Sequence, residues 1–588
     1  MNEFVNYLNS TNNAGSDSTG SLAEVQVKSA YYDRIKVDRR LGGYIAEGLE
    51  RQRYEAFVLT GHAGDGKTSI LVQALKQEGL LAPTEGLEKQ KDYEHFYYVK
   101  DMSEIPKHDQ TGVLRKALES PANGKSSLLI SNTGPLMDVF VKLVQEIRAE
   151  KGSPFGEDER IELQSTLLRQ LDRSGDAAIE IEGYSFVLVN IARVDNVAFA
   201  GRILENILAD DLWAACDGCA CEDRCPICWN RRYVSEHRKR VLAFLENYYR
   251  YLYENDKRMT IRQMVGQISY ALTGNLTCDA IQGHYYRAPF FDYNFANLFF
   301  GCVGLRDDKD AGQVKGIEQI RSLELDKIAL DADYSLFVNH DYTCFSPEIQ
   351  TELTELFRKN RRYYRISEEG AASSNPVQKR ETQLRRAVRR FYLMYSMCSD
   401  EAQMEQVMNQ VFGRHFTDYK KLISGRQPRL MLKRMQNTIF QALYKKNTGF
   451  LPSGDMPLFL TLRREDDVFQ NVMLVLGTVN KSDLELCQRK ENNRFEDADE
   501  KWSLVLKVKD REFPITLPLL TYFSALIDGA IASNSNPALT HGIAKLDALL
   551  HELYSFHDDD NELTVLVNTA KGQQVRKIAF EEGKMLID

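Results

Sequence analysis

The sequence predicts an α/β protein built on a parallel sheet, joined to a helical region and a smaller β-rich α+β part. Between about residues 25 and 285, strand-like and helix-like patterns alternate, which is typical of a sheet with helices on both faces. The first of these strands leads into the glycine-rich run GHAGDGKT, which has the spacing of a phosphate-binding loop. Together these observations predict a P-loop NTPase domain.

Composition and length define the class of protein. The chain has 588 residues, of which 43% are apolar and 27% charged, as in ordinary globular proteins. A chain of this length is too long to fold around one hydrophobic core, and roughly three to five domains are expected. No apolar run approaches the ~18 residues of a membrane helix, and the N-terminal sequence lacks the pattern of a secretory signal. We therefore expect a soluble cytoplasmic protein with no membrane partner.

Four regions are predicted along the chain. Residues 1–24 contain a small polar run and are expected to form a flexible leader. The P-loop domain is expected to cover 25–285 and to contain a small zinc-knuckle insertion at 213–230. A helical and basic region is expected at 286–446, and a β-rich α+β domain at 447–588.

Short apolar or β-branched runs bounded by polar residues predict the individual strands. The predicted strands are Ala56–Thr60, His95–Lys100, Ser127–Ser131 and Ser185–Asn190 in the P-loop domain, and Pro457–Leu462, Asn471–Val479, Trp502–Val508 and Leu563–Val567 in the last domain. Apolar residues at three- and four-residue spacing predict helices. The clearest of these helices are Gln383–Cys398, Arg429–Tyr444 and Pro537–Tyr554.

The phosphate loop has the context that its motif requires, with a strand before it and the amphipathic helix Ser69–Gln77 after it. Its glycines allow successive backbone N–H groups to point into one concavity, at the positive end of the helix. Lys67 is expected to bridge the β- and γ-phosphates of ATP, and the Thr68 hydroxyl to complete the Mg²⁺ shell. The predicted nucleotide-binding residues are Gly61, His62, Ala63, Gly64, Asp65, Gly66, Lys67, Thr68 and Ser69.

Hydrolysis also needs an acidic residue for Mg²⁺ and a residue that orients water. In an additional-strand, AAA-like domain the second acidic motif would fall where this chain has Asn132, whereas Asp101 ends an earlier strand. One alternative is that Asp101 binds Mg²⁺, with the motifs in an unusual order along the chain. A second is that Asn132 marks a weakened or rearranged site. In the third, Asp101 only caps the turn that follows it. Asn190 is a candidate sensor of the γ-phosphate, unless it simply closes a turn. Arg262 is a candidate lid arginine, unless it is a solvated helical residue.

A cysteine cluster predicts a metal site. Two CxxC pairs, Cys216/Cys219 and Cys225/Cys228, stand in the segment CDGCACEDRCPIC, and four thiolates at this spacing suit a closed, structural zinc site. Cys221 is then the spare cysteine, although Cys216, Cys221, Cys225 and Cys228 form an alternative set. An iron–sulfur cluster or a cluster without metal also remains open.

The region from 358 to 446 has 20 Lys/Arg against 7 Asp/Glu, which gives it a net charge of +13. Because the whole chain has a net charge of −9, the remainder carries −22. The runs FRKNRRYYR, KRETQLRRAVRRFY and GRQPRLMLKRMQ are rich in arginine, and the first two add aromatic residues. This combination suits contact with phosphates and stacking on bases, and predicts DNA binding through 358–446. The alternative is that these charges are solvated or pair with carboxylates of the chain itself.

The chain resembles the DptF (DndF) family, the P-loop ATPases of restriction systems that depend on DNA phosphorothioation. The segments GHAGDGKT, YYVKDMSEIP, LLISNTGPL, CDGC…CPIC, TIRQMVGQISYALTG and FFDYNFANLFF carry the resemblance, from about residue 30 to the C-terminus. It implies an ATPase that acts with companion restriction proteins against DNA lacking the phosphorothioate mark, as in defence against phage. Lys67 and Thr68 carry over as nucleotide ligands.

Two other functions compete with this interpretation. One is a nucleotide-dependent switch or scaffold that binds protein partners and not DNA. The other is a metabolic kinase, which is weaker because nothing beside the loop resembles an acceptor site for a small molecule. We recognise no nuclease motif in the sequence.

Overall fold

The computed structural model describes residues 2–12, 29–82, 85–172, 177–283, 290–368, 375–397, 400–426, 429–462, 470–491, 495, 500–529, 537–556, 562–569, 572–581 and 584–587. The protein is a mixed α/β chain that divides into two compact units. We call them the N-terminal unit, made of Met1–Tyr253, Arg258–Val407 and Asn493–Asp499, and the C-terminal unit, made of Glu254–Lys257, Met408–Asn492 and Glu500–Asp588. The boundary expected between residues 446 and 447 therefore lies inside the C-terminal unit.

A six-stranded sheet forms the centre of the N-terminal unit. Its strands are β1 (Ala56–Thr60), β2 (Gln90–Asp92), β3 (Phe96–Val99), β4 (Ser126–Ile130), β5 (Ile179–Ile181) and β6 (Tyr184–Asn190). They are ordered β2-β3-β4-β1-β6-β5, with β3, β4, β1 and β6 parallel and the two edge strands antiparallel to their neighbours. The four predicted strands are confirmed to within one residue, whereas the short strands β2 and β5 were not predicted.

Both faces of this sheet are buried, because alternate side chains of each central strand enter two different apolar clusters. In β1, Val58 belongs to one cluster and Phe57 to the other. The first cluster also contains Leu114 and Phe140, from helices that cover one face, and the second contains Leu71, from the helix after the phosphate loop. Burial on both faces explains why the strands read as continuous apolar runs.

The remaining elements of the N-terminal unit are mostly helices. They are Glu3–Asn12, Tyr32–Ile35, Arg40–Glu50, Lys67–Gln77, Gln110–Glu119, Thr133–Glu150, Glu157–Asp172, Phe199–Ile207, Asp210–Trp213, Pro226–Glu236, Arg238–Glu254, Ile261–Thr273, Cys278–Gly283, Phe295–Phe299, Lys315–Leu323, Asp333–Phe337, Pro347–Glu368, Asn375–Tyr395 and Glu401–Phe412, the last of which continues into the C-terminal unit. A two-residue pair of strands, β7 (Cys302–Val303) and β8 (Arg306–Asp307), completes the unit.

The start of the chain differs from the flexible leader that the sequence predicts. Glu3–Asn12 is a helix in which Phe4 and Leu8 are fully buried. The Phe4 ring meets the Trp213 ring edge-on at 5.5 Å, and the Asn9 side chain donates a hydrogen bond to the carbonyl of Leu276 (2.8 Å). Apolar residues four apart dock this helix on the unit, and the polar run from 13 to 24 lies outside the described residues.

The C-terminal unit is α+β, as the sequence predicts, and its described strand pairs are antiparallel. Its strands are β9 (Leu458–Thr461), β10 (Val472–Val479), β11 (Leu484–Glu491), β12 (Lys501–Val508), β13 (Arg511–Pro514), β14 (Glu562–Thr569), β15 (Gly572–Glu581) and β16 (Lys584–Ile587), in sheets ordered β16-β15-β14-β10-β9 and β11-β12-β13. Its further helices are Phe416–Ile423, Arg429–Thr448, Leu517–Ile527 and Pro537–Tyr554. In β10, buried and more exposed positions alternate, as expected for a sheet covered on one face.

None of the helices in the described part of the chain is both long enough and apolar enough to cross a membrane.

Candidate functional site

The phosphate loop follows β1 at the carboxyl edge of the parallel strands and leads directly into the helix Lys67–Gln77. Gly64 and Gly66 have φ angles of 87° and 91°, in the left-handed region that a side chain disfavours. Gly64 also lies against Thr260, whose hydroxyl oxygen would be 3.0 Å from an added Cβ. The two glycines are thus required by backbone conformation, and at Gly64 also by space.

Charged side chains converge on Lys67. Its Nζ donates hydrogen bonds to the carbonyls of Gly61 (2.6 Å) and His62 (3.1 Å). Burial lowers the pKa of the Lys67 ammonium, the carboxylates of Asp65 and Asp101 oppose that effect, and the charge of Arg262 adds to it. The structure therefore brings Asp101 and Arg262, two predicted site residues, within electrostatic reach of Lys67, from which Arg262 is separated by 195 positions.

Asp101 follows β3, and the sheet order puts β4 between β3 and the phosphate-loop strand β1. One oxygen of its carboxylate accepts a hydrogen bond from the Ser103 backbone N–H (2.9 Å), at the start of the 3₁₀ helix Met102–Glu104. Asp101 thus caps a turn, as one interpretation predicts, and its carboxylate is also within electrostatic reach of Lys67. The two roles are compatible because the cap occupies a single carboxylate oxygen.

Asn132 follows β4, the strand between β1 and β3. Its side chain is exposed and forms no capping hydrogen bond to the helix Thr133–Glu150 that starts after it. Beside it, the hydroxyls of Thr60 and Thr133 lie 3.0 Å apart, joining the ends of β1 and β4. Because the carboxyl ends of parallel strands share one edge of a sheet, Asn132 lies between the phosphate loop and Asp101 along that edge.

Asn190 ends β6 at the same edge, but both ends of its amide group have local partners. Its Nδ2 donates to the carbonyl of Leu171 (3.2 Å), and its Oδ1 accepts from the backbone N–H of Ala192 (3.1 Å). The second contact is the Asx-type turn closure that competes with a sensor role. The structure therefore supports the turn-closing interpretation of Asn190 over the sensor role.

Arg262 lies in the first turn of the helix Ile261–Thr273, which begins with a capping box formed by Thr260 and Gln263. Its backbone N–H donates to the carbonyl of Gly64 (3.3 Å). Burial lowers the pKa of its guanidinium. Arg262 is thus partly buried against the phosphate loop and is not a solvated helical arginine.

Arg258 and Arg39 also contact the loop and were not predicted from the sequence. A guanidinium nitrogen of Arg258 forms an ion pair of 2.6 Å with Asp65, whose side chain is 0% exposed. Arg39, itself buried, donates to the backbone carbonyl of Asp65 (3.2 Å). A carboxylate inside a predicted phosphate-binding loop was the available signal, since it would repel phosphates unless a cation neutralised it.

The cysteine segment brings three of its thiols close together around Cys228. The thiol of Cys228 contacts those of Cys216 and Cys225, and the Cys216 sulfur also accepts from the side chain of Asn2 (3.4 Å). Hydrogen bonding to Cys228 lowers the pKa of Cys216 to about 6 and that of Cys225 to about 7, despite burial. Within the described residues, however, no group of three or more His, Cys, Asp or Glu side chains is arranged to hold one metal ion.

The other two cysteines of the segment, Cys219 and Cys221, have different neighbours. Cys221 is buried, and its sulfur accepts a hydrogen bond from the Arg224 guanidinium (3.4 Å). Cys219 is half-buried, and its backbone N–H bonds to the carbonyl of Cys216 (3.1 Å), which is a turn of the CxxC type. The Cys228 thiol therefore has two thiol neighbours, but the described residues do not form a complete metal-binding group.

The arginines of the helix Asn375–Tyr395 are largely paired inside the N-terminal unit. Arg390 is 2% exposed and forms an ion pair of 2.8 Å with the equally buried Asp326, and Arg386 contacts the same carboxylate at 3.0 Å. Arg389 pairs with Asp333 at 2.6 Å. The basic stretch 379–392 thus supports the alternative that its charges serve the fold. The side chains of 361–379 lie outside the described residues.

Comparison with known proteins adds no assignment: no family model, no curated protein and no solved structure matches the chain. A functional conclusion must therefore come from the chemistry of the phosphate loop and its neighbours.

Proposed function

We propose that this protein binds and hydrolyses MgATP at the loop from Gly61 to Thr68. The observation that carries the proposal is the glycine-bent loop between β1 and its helix, with Asp101 and Arg262 within electrostatic reach of Lys67. Backbone N–H groups of the loop and the helix N-terminus would bind the phosphates. Lys67 would exchange its carbonyl partners for β- and γ-phosphate oxygens.

Asp101 and Thr68 would hold the Mg²⁺ ion, which would neutralise charge on the phosphate oxygens. The position of β4 between β1 and β3 favours Asp101 for this role, because an interposed strand is the feature for which additional-strand P-loop domains are named. Asn132, at the end of that strand, would then orient water or contact the γ-phosphate. Arg262 would stabilise the charge that develops on the transferred group.

Calorimetry with MgATP tests the proposal on the full chain. We expect Lys67→Ala to weaken binding and to abolish turnover. Lys76→Ala is the matched control, because Lys76 lies on the same helix and pairs with Asp33 (2.6 Å). No association of MgATP with well-folded wild-type protein would refute the proposal, and so would unchanged turnover in Lys67→Ala.

The biological role we propose is that of a cytoplasmic ATPase subunit in a DNA restriction complex, acting with companion proteins against phage DNA that lacks phosphorothioate. This proposal comes from the resemblance to the DptF family. If DNA binds the 358–446 region, the exposed cations at one end of the helix Arg429–Thr448 suit it better than the paired arginines of 379–392. Arg429 and Lys433 are exposed and lie four residues apart on one face.

A gel-shift series at several salt concentrations tests this role. Charge reversal of Arg429 and Lys433 is expected to weaken DNA binding and to reduce its salt dependence, by about one unit of slope for each phosphate that is no longer neutralised. Arg51 provides the control, since it lies outside 358–446, is exposed and already pairs with Glu47 (2.7 Å). If no DNA binds at low salt, with or without ATP and partner proteins, the alternative of a nucleotide-dependent switch that binds only proteins is favoured.

We propose zinc as a structural metal of the cysteine segment, bound by Cys216, Cys225 and Cys228 with Cys219 as fourth ligand. Contact among the first three thiols and the thiolate-favouring environment of Cys216 support this set. Cys219 would have to move to complete it. Elemental analysis of the purified protein tests the proposal, and iron or the absence of any metal would overturn it.

A further inference from the structure

The carboxylate of Asp65 lies inside the phosphate loop, where an unneutralised negative charge would oppose nucleotide binding. Its side chain is fully buried, and one oxygen accepts a hydrogen bond from the backbone N–H of His62 (3.0 Å). This bond closes the turn of the loop from within. The loop is therefore shaped around an internal anion that needs a cation.

Arg258 supplies that cation and ties the loop to two other segments. One of its nitrogens pairs with Asp65 at 2.6 Å, and another donates to the carbonyls of Ile191 (3.0 Å) and Val194 (3.4 Å), just after β6. Its planar, forked guanidinium makes these contacts at once, which a lysine cannot do. Arg258 thus connects the loop after β1 with the chain that leaves β6.

The residues that follow Arg258 continue the contact with the loop. Met259 accepts a hydrogen bond from the side chain of Asn196 (2.7 Å), Thr260 packs on Gly64, and the backbone N–H of Arg262 donates to the carbonyl of Gly64. Since Thr260 begins the helix Ile261–Thr273, a shift of the Arg258–Asp65 pair would move both the loop and Arg262.

We propose that Arg258 is a positioning residue for the nucleotide: through Asp65 it fixes the phosphate loop in the shape that receives the phosphates. The inference rests on the proposed binding of MgATP and adds to it a residue about 200 positions away from the loop. Arg258 neutralises the carboxylate within the loop, and its removal leaves a buried charge directly beneath the phosphate-binding amides.

Calorimetric titration of MgATP into the full chain tests this role. We expect Arg258→Gln to weaken binding about 100-fold, within the range of about 5- to 150-fold by which coupled groups change an affinity. In the double variant Asp65→Asn/Arg258→Gln no charge is left unpaired, and the new side-chain amide in the loop can still accept from the His62 N–H, so most of the affinity should return. Arg389→Gln is the control. The Arg389 side chain is about as buried as that of Arg258, and Arg389 lies far along the sequence from the residues that contact the loop.

Three outcomes would overturn the inference while leaving the proposed function intact. They are wild-type affinity in folded Arg258→Gln, no recovery in the double variant, and an equal loss of affinity in Arg389→Gln. If Arg258→Gln does not fold, Arg258→Lys is tested instead. Its affinity for MgATP is expected to be about tenfold lower than that of the wild type, because lysine keeps the charge but not the forked guanidinium donors. Wild-type affinity in Arg258→Lys would also overturn the inference. Failure of the wild-type protein to bind MgATP would instead refute the proposed function itself.

Discussion

Replacing Arg390 by alanine distinguishes a structural from a DNA-binding role for the basic helix Asn375–Tyr395. Arg390 donates to Asn297 (2.9 Å), to Asp326 (2.8 Å) and to the carbonyl of Gly304 (3.2 Å), and its side chain is 2% exposed. Its loss would leave the carboxylate of Asp326 buried, with Arg386 as its one remaining charged partner among the described residues.

The expected cost follows from the burial of both partners. Removing one member of a buried ion pair costs about 3–5 kcal/mol, and the remaining contact with Arg386 favours the lower end of that range. On the same helix, Arg385 is 43% exposed and pairs with Glu381 four residues earlier, a kind of contact worth about 0.5 kcal/mol or less. Arg385→Ala is therefore the matched control.

Thermal unfolding of the full chain, followed by circular dichroism, measures the difference. We expect Arg390→Ala to lower the midpoint by on the order of 5 °C and Arg385→Ala to lower it by about 1 °C or less. Equal effects of the two substitutions would refute the structural assignment. An Arg390→Ala protein that keeps wild-type stability but no longer binds DNA in the gel-shift assay would also refute it.

Three further predictions concern the magnesium site, the cysteine segment and the C-terminal unit. Asp101→Asn should raise the Mg²⁺ concentration needed for half-maximal ATPase rate by about tenfold or more while the protein stays folded, and an unchanged magnesium requirement would move the metal role elsewhere. Cys219→Ser should abolish bound zinc and lower the thermal midpoint, whereas Cys221→Ser should keep the metal; the reverse pattern would favour the alternative ligand set. Burial lowers the pKa of His415 below 6.5, so the unfolded chain binds a proton that the folded chain does not, and stability of the C-terminal unit should fall as the pH drops below about 6.5. His415→Gln should remove that part of the pH dependence in urea unfolding, and an unaltered pH profile would contradict the assignment.

Local sequence signals were sufficient for much of the fold. Parallel strands buried on both faces appear as continuous apolar runs, so β1, β3, β4 and β6 could be located to within one residue. The edge strands β2 and β5 are only three residues long, which is too short for a period to be recognised, and β2 is also entirely polar. The helix Glu3–Asn12 was missed because the polar composition after it dominated the interpretation of the leader.

By itself, the sequence determined the glycine-rich loop between β1 and the helix Lys67–Gln77, since its glycines act through backbone conformation and short-range geometry. Tertiary structure alone decided which distant side chains meet that loop. The strand order placed Asp101 at the edge of the sheet where the loop lies. The packing of the helix Ile261–Thr273 and of the residues just before it brought Arg262 and Arg258 to the loop. Charge pairing between residues far apart in the chain leaves no periodic trace, and for the same reason a run of arginines could not reveal that Arg390 is buried on Asp326.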